Sequence, residues 1–130
     1  MVRVITPNGI VWNEVAQSVI LPSTSGEMGI LTGHVAVTAS LDIGVTQIRS
    51  NGKWVPIYVM GGFAQVEGDE VTILVNEAER GDRIDTHVAQ EALEAAEDQL
   101  NQAQNRQEKL KATASVKQAR ARLKAAQGAS

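Results

Sequence analysis

Few residues in this 130-residue chain are equipped to do chemistry. Cysteine is absent, which excludes disulfides, thiolate nucleophiles and cysteine metal sites. The two histidines, His34 and His87, do not share the HxxxH spacing of a metal-binding helix, and no metal is expected. Gly26-Glu27-Met28-Gly29 with Gly33-His34 is dense in glycine. It lacks the Gly-Lys-Ser/Thr ending of a phosphate loop and opens no helix, so it reads as a shaped loop between strands. Asp82 and Asp85 could pose as a carboxylate pair for acid–base work, but at a strand-to-helix junction capping is the expected role. No serine has a neighbouring His/Asp pattern, and Arg120 and Arg122 flank Ala121 and so point to different sides of a helix. A small hydrolase using Asp82, Asp85 or His34 is the weakest reading. The residues describe a binding or regulatory part with no cofactor, not an enzyme.

The elements that position these residues come from two compositions. Apolar residues are 43% and charged residues 21%, ordinary for a soluble protein. No apolar run reaches the ~18 residues of a membrane-spanning helix. Met1-Val2-Arg3-Val4-Ile5 is too short for a signal segment, and no transit-type leader is expected. The net charge of −3 argues against general nucleic-acid affinity. Trp12, Trp54, Tyr58 and Phe63 are too few for a base-stacking platform. A boundary falls near Asp85. Residues 1–85 hold ten of the eleven glycines and all three prolines, whereas residues 86–130 hold twelve alanines and only Gly128.

The first part predicts strands over Val2–Thr6, Val11–Val15, Gln17–Leu21, Val35–Ser40, Gly44–Arg49, Trp54–Met60, Phe63–Glu67 and Glu70–Val75. Turn signals separate them, and Asn51-Gly52 between two β-rich runs predicts a type I′ hairpin. Such spacing suggests an antiparallel sandwich or barrel. The second part predicts a helix with Ala89, Ala92, Leu93, Ala96, Leu100 and Ala103 on one face, capped by Asp85 or Thr86. A second helix is expected over about Ala114–Gln127, ended by Gly128, with the break between Asn105 and Thr113; no proline marks the break, and one continuous helix is the alternative. The fold class is therefore α+β: a sandwich domain over 1–85 and a two-helix hairpin over 86–130.

The helices differ in charge. Residues 86–104 carry a net −4 and residues 105–130 a net +6. An antiparallel hairpin places acidic beside basic, while the basic helix equally suits an acidic partner. Six large apolar side chains in this region, each stabilising by roughly 1.5–3 kcal/mol when buried, face backbone ordering of about 1–2 kcal/mol per residue. The hairpin therefore needs docking on the sandwich or on a partner, and two hypotheses follow, a two-state element and a permanently docked hairpin.

Leu21-Pro22-Ser23 followed by Gly26-Glu27-Met28-Gly29-Ile30-Leu31-Thr32-Gly33-His34 resembles the GELGILPGH signature of the epsilon subunit of F-type ATP synthases. Gly61-Gly62-Phe63-Ala64-Gln65-Val66 and Val71-Thr72-Ile73-Leu74-Val75 match a second block, followed by Glu77-Ala78-Glu79-Arg80 and Ile84-Asp85. The resemblance is collinear over nearly the whole chain and leans to the cyanobacterial and chloroplast branch.

It implies a sandwich of about ten strands followed by a helical hairpin. It also implies a non-catalytic rotor role in which the sandwich meets the gamma subunit and the c-ring. Glu27, Met28 and His34 fall at the positions presented to the ring and rotor foot. The C-terminal helices resemble a brake that folds down on the sandwich or extends toward the beta and alpha subunits. By resemblance, Lys117, Arg120, Arg122 and Lys124 meet an acidic loop of beta and suppress ATP hydrolysis.

Some family members bind ATP through an Ile/Leu-Asp-x-x-Arg-Ala motif. Here Ile84, Asp85 and Ala89 remain, but Val88 replaces the arginine, removing a phosphate-pairing cation. No nucleotide binding is expected. The implied location is peripheral on the thylakoid membrane, cytoplasmic or stromal face, with membrane association only through the complex. The competing reading is a free-standing β-sandwich adaptor whose hairpin binds an acidic protein.

Overall fold

The computed structural model describes residues 1–31 and 36–128. Among the described residues eight strands come first: β1 Val2–Thr6, β2 Gly9–Glu14, β3 Ser18–Ser23, β4 Gly26–Leu31, β5 Val37–Leu41, β6 Gly44–Ser50, β7 Lys53–Glu67 and β8 Glu70–Arg80. A 3-10 turn at Gly81–Arg83 leads into α1, Thr86–Gln102, and α2, Arg106–Gly128.

β7 organises the sandwich. Its first half pairs with β6 and with the end of β8, and its second half pairs with β5 and the start of β8. One layer is thus β2-β1-β8-β7-β5, and the other continues from β8 and β7 through β6 and β3 to β4. The two expected runs Trp54–Met60 and Phe63–Glu67 are one strand bent at Gly61-Gly62. Both glycines have positive φ, 64° and 117°. A Cβ on Gly62 would run into the carbonyl oxygen of Leu74, so only glycine fits there. Asn51 and Gly52 have φ of 54° and 78° between Ser50 and Lys53, the expected type I′ turn. One pairing departs from an all-antiparallel arrangement: β1 runs parallel to β8. The whole sandwich separates those strands in sequence, ample chain for a parallel return.

Between the layers lies a core that includes Val4, Leu21, Ile48, Ile57, Val59, Val66 and Ile73. Strand alternation turns Tyr58 and Met60 of β7, and Val45 of β6, to the opposite side, where they join a second core with α1 and α2. The β6–β7 part of the second layer is therefore covered on both faces, which explains the unbroken burial of Pro56, Ile57, Tyr58 and Val59.

The helical part corrects two expectations. α2 begins at Arg106, well before Ala114. Asn105 Oδ1 accepts from the Glu108 N–H at 2.8 Å, while the Glu108 carboxylate accepts from the Gln104 N–H at 2.9 Å. This reciprocal cap starts the helix where its apolar stripe is still out of phase. Acidic α1 also does not pair with basic α2. Among the described residues no ion pair joins the two helices, because small and apolar side chains such as Ala89, Leu93, Ala96 and Val116 occupy the seam.

Candidate functional site

α2 is the middle layer of the helical part. α1 packs on it, and α2 makes the hairpin's main contact with the sandwich. Ala121, Leu123, Ala125 and Ala126 bury against a cluster that includes Tyr58, with Ile43, Val45 and Met60 at its margin. Alanines allow close approach, and the turn after β8 uses it. Gly81 is buried, and a Cβ there would run into the carbonyl oxygen of Ala125 and meet Pro56 Cγ at 3.0 Å.

Two ion pairs flank this contact. Lys117 Nζ donates to Asp42 Oδ2 at 2.6 Å, and Asp42 Oδ1 also accepts from the Ile43 N–H at 2.8 Å. The lysine, then that backbone N–H, hold the Asp42 carboxyl below its ordinary range. Arg122 Nε and Nη2 both lie 2.8 Å from Glu79 Oε2, and this bond to Glu79 raises the guanidinium's affinity for its proton. Tyr58 lies beneath, and burial, reinforced by the charges of Glu77 and Glu79, pushes its phenol up to about 12. The sequence signal for these pairs was the surplus of cations on α2. Their partners, Asp42 and Glu79, could not be read without the topology.

The four cations implicated by resemblance thus divide. Lys117 and Arg122 turn toward the sandwich and are paired, whereas Arg120 and Lys124 are exposed with no ion pair among the described residues. At the start of α1, Asp85 caps the helix by accepting from the Val88 N–H at 3.1 Å. Ile84 and Ala89 are buried and Val88 is exposed. Asp82 accepts from Arg80 Nε and Nη2 at 3.2 and 2.9 Å, and that guanidinium lies 5.2 Å from the Trp12 ring centroid. Asp82 and Asp85 are therefore occupied by structural bonds and do not converge on an acid–base site.

The glycine-rich segment is also corrected. Gly26–Leu31 is a strand, not a loop, paired residue for residue with β3 from Ser23↔Gly26 to Ser18↔Leu31. Glycine at two positions hid its alternation. Glu27 and Leu31 face outward, while Met28 packs against the sandwich core. His34 lies outside the described residues.

Sequence reasoning missed one surface. Ile10, Ile5, Leu74 and Phe63 stand opposite one another on β2, β1, β8 and β7, forming an apolar row on the outer face of the first layer. Ile10, Leu74 and Phe63 remain 60%, 39% and 48% exposed. The adjacent row, Asn13, Arg3, Thr72, Gln65 and Thr38, contains one charge. These two rows have the composition of an interface core, bordered on the same face by Glu67 and by Glu70, which pairs with Arg3 at 3.4 Å. Period-two patterning could have found it: Leu74 lies between the inward Ile73 and Val75.

Fold and site define a class: a sandwich with an apolar row on its outer face, carrying a helical hairpin attached through small residues and two ion pairs. The family model for the ATP synthase delta/epsilon chain β-sandwich domain matches residues 1–81, and that for the delta/epsilon chain long α-helix domain matches residues 82–127. The chain belongs to the ATP synthase epsilon-chain family, whose members are non-catalytic subunits of the complex. The ATP synthase epsilon chain of Trichodesmium erythraeum is 53% identical over 130 residues, covering 98% of this chain and 95% of that one. The chloroplastic epsilon chain of Porphyra purpurea is 46% identical over 129 residues, covering 99% and 96%. A chain of the Euglena gracilis mitochondrial ATP synthase OSCP/F1/c-ring structure shares the fold with a TM-score of 0.83 and 24% identity, covering 97% of this chain and 79% of that one.

Proposed function

We propose that the chain is a central-stalk subunit of a proton-translocating ATP synthase, with its sandwich on the rotor and its hairpin suppressing ATP hydrolysis. The gamma subunit packs on the Ile10–Ile5–Leu74–Phe63 row. The exposed edge strand β4, carrying Glu27 and Leu31 and leading toward His34, faces the c-ring. Cations of α2 meet acidic surface on the beta subunit, close to alpha, when the hairpin leaves the sandwich. The subunit then sits at the periphery of a thylakoid membrane on the cytoplasmic or stromal side, without contacting lipid itself. ATP does not govern the hairpin: Val88 supplies no cation, and Asp85 already caps α1. Equilibrium dialysis that detected micromolar ATP binding would contradict that last point.

The observation that carries the reading is the mode of attachment of α2. Two of its cations, Lys117 and Arg122, are held by carboxylates in exposed or partly exposed ion pairs, worth ~1 kcal/mol or less, and its apolar contact is built largely from alanine. Such a helix can exchange one acidic partner for another. The test is ATP hydrolysis by an epsilon-depleted catalytic complex titrated with the full chain and with residues 1–85. Inhibition by the full chain alone assigns the brake to the helices and the docking to the sandwich. Equal inhibition by both removes Arg120 and Arg122 from the mechanism. Phe63→Glu in the full chain should weaken binding to the complex while leaving the chain folded, since Phe63 lies outside both cores.

A further inference from the structure

Lys117 and Arg122 have two claims on them. The proposed inhibitory contact needs both side chains free to meet acidic surface on another subunit. In this structure each already has a carboxylate, Asp42 at 2.6 Å and Glu79 at 2.8 Å. Those carboxylates stand at separate places on the sandwich, one at the end of β5 and one near the end of β8, both beside the apolar contact with α2. Arg120 and Lys124, by contrast, are exposed and carry no such pairing among the described residues.

We propose that Asp42 and Glu79 are internal competitors for the acidic partner of α2, holding Lys117 and Arg122 on the sandwich and thereby setting how much partner is needed to draw the hairpin away. This rests on the inhibitory reading above and adds two residues to it, both on the sandwich. The geometry separates two kinds of cation on one helix. Arg120 and Lys124 can engage an acidic surface while the hairpin is docked, and Lys117 and Arg122 only after their pairs open.

Removing an internal carboxylate has a direction opposite to ordinary damage. Loss of a surface ion pair weakens docking, and weaker docking leaves more chain in the form available to the partner. Two such pairs at about 0.5 kcal/mol each correspond to about a fivefold change in the apparent affinity of the brake. Lost inhibition would follow instead if the carboxylates only kept the sandwich folded.

The experiment uses the full chain with Asp42→Asn, Glu79→Gln and the double substitution. Inhibition of an epsilon-depleted catalytic complex is titrated, and amide hydrogen exchange is measured on the free chains. The expected result is a half-inhibitory concentration about fivefold lower for the double variant, with faster exchange in α2 and unchanged exchange in β1 and β3. Asp42→Glu and Glu79→Asp, which keep the charge, should stay near the parent. Faster α2 exchange with unchanged or weaker inhibition overturns the competition. Unchanged exchange and unchanged inhibition overturn it as well, because the pairs then hold nothing. A parent chain that fails to inhibit at all defeats the functional reading and this inference together.

Discussion

Replacing Gly81 with alanine tests the docking geometry directly. Gly81 lies in the 3-10 turn between the sandwich and α1, outside the left-handed region of φ, so its own backbone accepts a side chain. The obstacle is α2. The added methyl would collide with the carbonyl oxygen of Ala125, approach its carbonyl carbon at 2.8 Å and press on Pro56 Cγ at 3.0 Å. Two of those atoms are helix backbone, which cannot rotate aside as a flexible side chain would. Overpacking of this kind costs about 1–3 kcal/mol, and here α2 relieves it by lifting from the sandwich. That amounts to a shift of about five- to 150-fold in the docking equilibrium. Amide exchange in α2 should accelerate by that factor while exchange in β3, β6 and the first half of β7 stays as it was. Gly29→Ala is the control, since nothing lies within 4 Å of a Cβ at that position. Unchanged α2 exchange in Gly81→Ala would refute the claim that this contact seats the helix.

Three further outcomes follow from the same geometry. Tyr58 is the only tyrosine, so phenolate absorbance reports it alone, and it should titrate near 12 in the parent and closer to its ordinary 10.0 in Gly81→Ala. Because the folded chain favours the neutral phenol, the associated stability is complete below about 10 and disappears as pH rises through about 12. Thr46 is fully buried with its hydroxyl oxygen unpaired among the described residues, so Thr46→Val should raise stability by about 1 kcal/mol in urea unfolding. Asn105→Ala removes the cap of α2 and should lower helicity at the start of that helix, costing about 1 kcal/mol in the same assay.

The parts of the fold that were legible in the sequence are those where local chemistry decides. Asn51-Gly52 demands its turn, and the alanine and leucine spacing of residues 89–103 demands a helix. β4 was illegible because Gly26 leaves Met28 and Ile30 as its only inward side chains, Gly29 removes one from the outward row, and what is left does not make a pattern. The start of α2 was misplaced because a polar cap, not a hydrophobic stripe, sets it. Asn105-Arg106-Gln107-Glu108 carried that signal. Among the candidate site residues, the cations of α2 were visible as a surplus of charge. Their division into paired and free depends on Asp42 and Glu79, which only the tertiary fold brings beside them. The Trp54–Met60 run did carry one overlooked message. Apolar at nearly every position, it suits a strand covered on both faces, and α2 is what covers the second.

β7 belongs to both layers of the sandwich and passes between them at Gly61-Gly62 without a break in the chain. Its far half carries Phe63 on the apolar outer face, and its near half carries Tyr58 beneath α2. A push applied at one of these surfaces therefore reaches the other along covalent bonds, with no need for the layers to grip each other through side-chain contact. Sliding one layer over the other would have to stretch that strand or refold its corner, and Gly62, wedged against Leu74, leaves the corner no slack. The sandwich is in this sense a bracket whose two opposed surfaces are parts of one strand.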